Sequence, residues 1–191
     1  MVKNMKTNKI AQIKNNIQNN NIAIMGHMGS GKSLIGRLIA QNLNFEHIDS
    51  DRLIELITKK SINDIFSKKG ENYFRNIEEK TIINLCNKKK IILSLGGGSI
   101  LSKKVRDFLV KNNYITLFID VDFEILSKRL EKSSKRPLLK NVDIKKKLKD
   151  LDKERRKYYL LADIILKNYD DPQKIVSKFL EEYKKINEKN N

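Results

Sequence analysis

The sequence predicts an α/β domain with a mostly parallel sheet covered by helices on both faces, and three observations lead there. Short apolar runs of strand length alternate along the chain with segments of helical periodicity. The first such run leads directly into GHMGSGKS, Gly26 to Ser33, a glycine loop that needs a strand before it and a helix after it. No internal repeat appears, and 191 residues suit one domain with a substantial core. In such sheets ligands bind beyond the C-terminal ends of the strands.

Residues 1–20 are polar and rich in Lys and Asn, with Ile10, Ile13 and Ile17 at helical spacing, and are expected as an N-terminal extension. NIAIM, ending at Met25, reads as a buried strand, and Leu34, Ile35, Leu38, Ile39 and Leu43 give the following helix its apolar face. A short strand ends at Ile48 and Asp49, and a helix begins near Asp51. Ser61 with Asp64 three residues on forms a carboxylate variant of the capping box. A longer helix is expected from Glu71 to about Asn87, with Phe74, Ile77, Thr81, Ile82 and Leu85 inward. Then come strand Ile91 to Leu95, helix Lys103 to Val110, strand Tyr114 to Ile119 and helix Phe123 to about Leu130. Glu131 to Asp143 breaks the periodicity with a proline and polar residues, as a mobile loop would. Helix Ile144 to Leu161, strand Ile164 to Leu166 and a last helix from Asp171 complete a domain over 21–184, with 185–191 expected as a polar tail.

Composition bounds the function. The chain is 39% hydrophobic, and no apolar run approaches the roughly 20 residues that cross a membrane. The N-terminus lacks the apolar core and cleavage site of a signal peptide, so a cytoplasmic location without membrane association is expected. Cys86, the lone cysteine, falls in an apolar helical pattern and is expected as a buried thiol; one cysteine and two histidines give no disulfide or zinc framework. The net charge of +17 raises nucleic acid as a partner, but the lysines are dispersed through helices without interleaved aromatics, which argues for solvated faces.

GHMGSGKS is a phosphate loop by its glycines and its Lys32–Ser33 pair. Its N–H groups point inward around phosphates and the following helix adds its positive end, while Lys32 bridges the transferring phosphates and Ser33 can ligate Mg²⁺. His27 and Met28 stand at variable positions and receive no catalytic role. The motif specifies a nucleoside triphosphate but leaves open a metabolite kinase, a nucleotide kinase, a GTPase or an ATP-driven machine. Strand Ile91 to Leu95 runs into Ser-Leu-Gly without a terminal acid, so the magnesium-related carboxylate must come from elsewhere.

Asp49 and Asp51 supply candidates beside the second strand, one for magnesium and one for a substrate hydroxyl; alternatively Asp51 is a solvent-facing acid at a helix N-terminus. Arg75 is followed three residues later by Glu78, a carboxylate that can orient it toward a bidentate grip on an acid, and Arg155 offers a second grip. Arg136 lies in the loop, where a cation can neutralise a transferring phosphoryl and exclude water. Each arginine alone reads equally as surface charge among 40 Lys and Arg. The triplet Gly96, Gly97 and Gly98 is either a flexible strand exit or a wall without side chains for a small hydroxylated ring.

The ordered set GHMGSGKS, IDSD, YFRNIEE, SLGGGS, KRPLL and ERRKYYLLAD resembles the shikimate kinase family from about Ile22 to Leu180. The resemblance implies a three-layer P-loop kinase fold with a five-stranded parallel sheet, an acceptor-binding region near 50–80 and a lid near 131–143. It implies Mg²⁺-dependent transfer of the terminal phosphoryl of ATP to the 3-hydroxyl of shikimate; separately, a monomer is expected. It assigns shikimate to Asp51, Arg75, Gly96, Gly97, Gly98 and Arg155, with Lys32, Asp51 and Arg136 catalytic. ATP falls to Gly29, Ser30, Gly31, Lys32, Ser33, Leu34, Arg129, Arg136 and Pro172, and the metal to Ser33 and Asp49. Lys157 departs from the family's proline, and the N-terminal lead is long. Competing readings are a gluconate-kinase-like enzyme, a nucleic-acid-binding P-loop protein, and a noncatalytic relative.

Overall fold

The computed structural model describes residues 20–131, 142–167 and 171–189. Its sheet comprises β1 (Ile22–Met25), β2 (Glu46–Asp49), β3 (Ile91–Ser94), β4 (Ile115–Asp120) and β5 (Ile164–Lys167). All pairings are parallel, in the order β2-β3-β1-β4-β5. Among the described residues seven helices surround it: α1 (Lys32–Leu43), α2 (Ser50–Thr58), α3 (Ile62–Ile83), α4 (Lys103–Lys111), α5 (Phe123–Glu131), α6 (Ile144–Tyr159) and α7 (Pro172–Lys189). A 3₁₀ turn, Ser99–Leu101, precedes α4.

Strand side chains alternate between two cores, as a sheet covered on both faces requires. Ile22, Ile24, Ile92, Leu117 and Ile119 join the α1 and α7 side with Ile35, Ile39 and Phe179. Ala23, Met25, Ile91, Leu93 and Phe118 join the opposite side with Ile82 of α3 and Phe108 of α4. A third, small cluster of Ile54, Ile65 and Phe74 holds α2 against α3 and carries the segment near 50–80.

Several expectations change. Ser61 caps as read, accepting from Asp64 N at 3.0 Å, but the helix it starts runs on into the one expected from Glu71, with a kink at Gly70 (φ 81°, ψ 171°). That helix ends at Ile83, because Leu85 and Cys86 tighten onto Ile82 and Ile83 carbonyls. Cys86 consequently lies in a turn and is exposed. Leu34 sits off the apolar face of α1, 44% exposed. Residues 185–189 form the end of α7 and not a tail: Ile186 packs on the core and Asn187 is 1% exposed, continuing the helical stripe of Phe179 and Tyr183. Among the described residues no helix is long and apolar enough to cross a membrane.

At the switch point of the sheet, β1 lies between β3 and β4, and the C-terminal ends Met25, Asp49 and Ser94 come to one edge. α1 is set close to that edge by Gly36. A Cβ there would fall 2.7 Å from His47 Nε2 and 2.8 Å from Ser94 Oγ, splitting the 3.0 Å His47–Ser94 hydrogen bond. Ser94 in turn donates to the Lys32 carbonyl at 3.2 Å. Gly36→Ala should therefore lower the melting temperature by a few degrees, since overpacking costs about 1–3 kcal/mol against about 1 kcal/mol gained in helix propensity. An unchanged or higher midpoint in thermal denaturation would contradict this packing.

Candidate active site

The phosphate loop leaves β1 through Gly26 (φ 147°), Gly29 (φ 80°) and Gly31 (φ 92°), conformations that L side chains rarely adopt. Its turn closes with Ser30 N donating to the His27 carbonyl at 3.2 Å, and α1 starts with Ile35 N on the Gly31 carbonyl. No side chain of the described residues caps the N-terminus of α1, which leaves its first N–H groups available to an anion. Lys32 reaches back over the loop, donating from Nζ to the Gly26 and His27 carbonyls at 2.9 and 2.8 Å.

Beside Lys32, the Ser33 hydroxyl donates to Asp49 Oδ2. The other oxygen of Asp49 caps α2, accepting from Asp51 N at 3.1 Å and Arg52 N at 3.2 Å. Asp49 thus joins the loop to the segment that carries Asp51. This capping role was not read from the sequence, although an acid just before a helix is its usual sign.

A cavity of about 770 Å³ opens at this edge and takes in Lys32, Ser33, Asp49, Asp51, Arg75, Gly96, Gly97, Gly98 and Arg155. Arg75 donates from Nη1 to Glu78 Oε2 at 2.7 Å and from Nη2 to Glu71 Oε1 at 2.9 Å. The orienting role expected of Glu78 is therefore met. Burial opposes the Arg75 charge, but the carboxylates of Glu78 and Glu71 outweigh it and hold the guanidinium pKa above its ordinary value. Glu78 is 2% exposed, and its other oxygen accepts from Ser99 Oγ at 2.6 Å.

The glycine triplet makes room first for the protein's own side chains. A Cβ at Gly96 would strike Glu78 and lie 2.7 Å from Asp51 Oδ1; at Gly98 it would lie 2.5 Å from Arg75 Cζ; at Gly97 it would meet Arg155 Nη1 at 3.2 Å. Arg155, 2% exposed, comes from α6. One turn on, Tyr159 donates its hydroxyl to the Gly97 carbonyl at 2.6 Å and stacks on Phe118. Burial pushes the phenol up to about 12, so it stays a donor at neutral pH.

The remaining expected residues lie around this centre. Arg129 donates to the Gly29 carbonyl at 3.1 Å from α5, and Pro172 heads α7. Gly29, Ser30 and Gly31 form the loop, and Leu34 stands exposed just after it. Arg136 lies outside the described residues. Tyr159, Ser99 and the pair His27–Asp152, 2.7 Å apart, were not read as site residues; for Tyr159 the i+4 spacing from Arg155 was the available signal.

An anion-binding loop at the switch point, faced across one cavity by oriented guanidinium groups, defines a P-loop kinase for a small acidic acceptor. The sequence model of the shikimate kinase family matches residues 28–184. A shikimate kinase of Rippkaea orientalis is 39% identical over 179 residues, 93% of this chain and 91% of that one. Among solved structures, the Acinetobacter baumannii shikimate kinase in complex with shikimate has a TM-score of 0.83 at 32% identity, covering 88% of this chain and 95% of the other. The Aquifex aeolicus shikimate kinase has a TM-score of 0.74 at 37% identity, covering 85% and 95%. The chain belongs to the shikimate kinase family. A gluconokinase from Sinorhizobium meliloti, at TM-score 0.60 and 16% identity over 91% and 96% of the chains, shares the fold alone.

Glu78→Ala would leave Arg75, whose side chain is 25% exposed, to the half-exposed Glu71 alone. The expected cost is about 3 kcal/mol, the low end for a broken buried pair, or roughly 6–12 °C in melting temperature for a chain of this size. A melting temperature equal to that of the wild type would show that Glu78 does not balance this charge.

Proposed function

We propose that this kinase transfers the terminal phosphoryl of ATP to the 3-hydroxyl of shikimate, with Arg75 and Arg155 holding the acceptor's carboxylate. One observation carries the reading: both guanidinium groups pack against the same glycine wall, in the cavity that also takes in Lys32 of the phosphate loop. A carboxylate is the ligand two converging guanidinium groups fit best.

In the reaction the acceptor oxygen bonds to the γ-phosphorus as the bond to the β,γ-bridging oxygen breaks, releasing ADP. Asp51, on the cavity wall beside Gly96, binds the acceptor hydroxyls and takes the proton that leaves. Lys32, which donates to two loop carbonyls here, is placed to turn toward the phosphates, and alignment and charge balance do most of the work. Ser33 and Asp49 put a hydroxyl and a carboxylate in contact, the hard oxygen set that suits Mg²⁺ completed by phosphate oxygens. Bound there, the ion would supply charge neutralisation on the phosphates. Arg129 and Pro172 are assigned to the adenine and Arg136 to the phosphates by the family motif. Residues 21–184 are read as one kinase domain, with an acceptor region near 50–80 and a lid near 131–143. We read the enzyme as a cytoplasmic monomer acting on small metabolites.

Coupled ADP release with and without shikimate tests the activity, and Arg75→Ala tests the grip. Truncating one partner of a charge-assisted pair costs about 2–5 kcal/mol, so the KM for shikimate should rise roughly 30-fold or more while that for ATP stays nearly constant. Equal losses for both substrates on folded protein would overturn the assignment.

A further inference from the structure

His27 occupies a variable position of the phosphate loop, yet its surroundings are specific. The residue is 3% exposed. Its Nε2 lies 2.7 Å from Asp152 Oδ1 of α6, and the ring meets Tyr159 and Phe123 edge-on with centroids 5.2 and 6.1 Å away. Nδ1 is buried and has no hydrogen-bond partner among the described residues. A neutral ring donating Nε2–H to Asp152 suits this site, whereas a protonated ring would bury a second N–H with nothing to receive it.

The charges around the ring fit the same state. Burial is the largest influence and disfavours the cation; Asp152 favours it, while Arg155 of α6 and Lys32 of α1 oppose it, and the pKa lies below its ordinary 6.5. Asp152 is itself shared with Arg156 at 3.6 Å, and Arg156 pairs with Asp120 at the end of β4 at 3.1 Å. The carbonyl of His27 meanwhile accepts from Lys32 Nζ at 2.8 Å and from Ser30 N at 3.2 Å. Ring and carbonyl belong to one residue, so anchoring the first orients the second. Asp152 stands three residues before Arg155, on the same face of α6.

We propose that His27 is a positioning residue: its neutral imidazole, donating to Asp152, ties the phosphate loop to the helix that carries Arg155 and so fixes the carbonyl that holds Lys32. Its kinetic consequence rests on ATP occupying the loop, as read above; the state of the ring does not. The stability that the neutral ring contributes is fully present above the ordinary histidine pKa and is lost as pH falls through the depressed folded value, where a protonated ring buries an Nδ1–H with nothing among the described residues to receive it.

Imidazole ¹⁵N NMR of the ligand-free protein reads the ring directly, because the chain has two histidines, and His47→Gln separates them. His27 should be the Nε2–H tautomer, titrate below 6.5, and lose its hydrogen-bonded shift in Asp152→Ala. In kinetics, His27→Phe fills the aromatic surroundings without the donor and should lower kcat/KM for ATP roughly three- to tenfold. The Kd for shikimate without nucleotide should stay within about twofold. His27→Gln, whose amide nitrogen matches the reach of Nε2, should restore most of the loss. Both variants should lack the decline that wild type shows relative to them below pH 6.5. An Nδ1–H tautomer, a ring titrating at or above 6.5, or His27→Phe with unchanged kcat/KM for ATP would overturn the proposal. A chain that binds ATP but does not phosphorylate shikimate would sink the acceptor reading and leave the NMR result standing.

Discussion

Arg155 carries a full positive charge into a place with almost no water. It is 2% exposed, and its Nε has no hydrogen-bond partner among the described residues. Burying a charge without full compensation is costly, and a fold keeps such a group where its surroundings hold it firmly. Here α6 does the holding: Asp152, Arg155, Arg156 and Tyr159 fall at spacings that put them on adjoining turns of one face. They reach the phosphate loop, the glycine wall and the end of β4 through His27, the Gly97 carbonyl and Asp120. The rest of the site is arranged around that helix.

The glycine triplet follows from the same constraint. None of Gly96, Gly97 and Gly98 needs a positive φ; they are small because Glu78, Asp51, Arg75 and Arg155 press against them. An acceptor bound as proposed would meet charged groups held in place by backbone, with little to reorganise on binding. Glu78 makes the arrangement tolerable by balancing Arg75, and Ser99 satisfies its second oxygen. Among the described residues no carboxylate is bonded to Arg155 in the same way, and in the proposed function that cation is kept for the ligand.

Much of this was legible in the sequence because the pieces are local. The strand–loop–helix around GHMGSGKS, the Ser61 cap and the Arg75–Glu78 pair all depend on spacings of eight residues or fewer. The sheet order, by contrast, rests on pairings between distant strands, and the bonds from His27 to Asp152 and from Tyr159 to Gly97 span 125 and 62 residues. Spacing cannot reveal such contacts. Gly70 hid the continuity of α3, since a positive φ within a helix leaves both limbs looking independent, and the polar end of α7 hid Ile186 and Asn187 among lysines and glutamates. The cavity itself joins residues from Met28 to Arg155, and only family resemblance placed them together beforehand.

If Arg155 is kept for the acceptor at a cost to the empty protein, removing its charge should separate stability from binding. Arg155→Met keeps an unbranched side chain of similar length without the charge, and thermal melts with and without shikimate measure both quantities at once. The ligand-free variant should melt at or above the wild-type temperature and show no rise with shikimate, while the wild type rises. A variant that melts several degrees lower and still gains the wild-type shift with shikimate would show that the buried charge serves the fold and not the substrate.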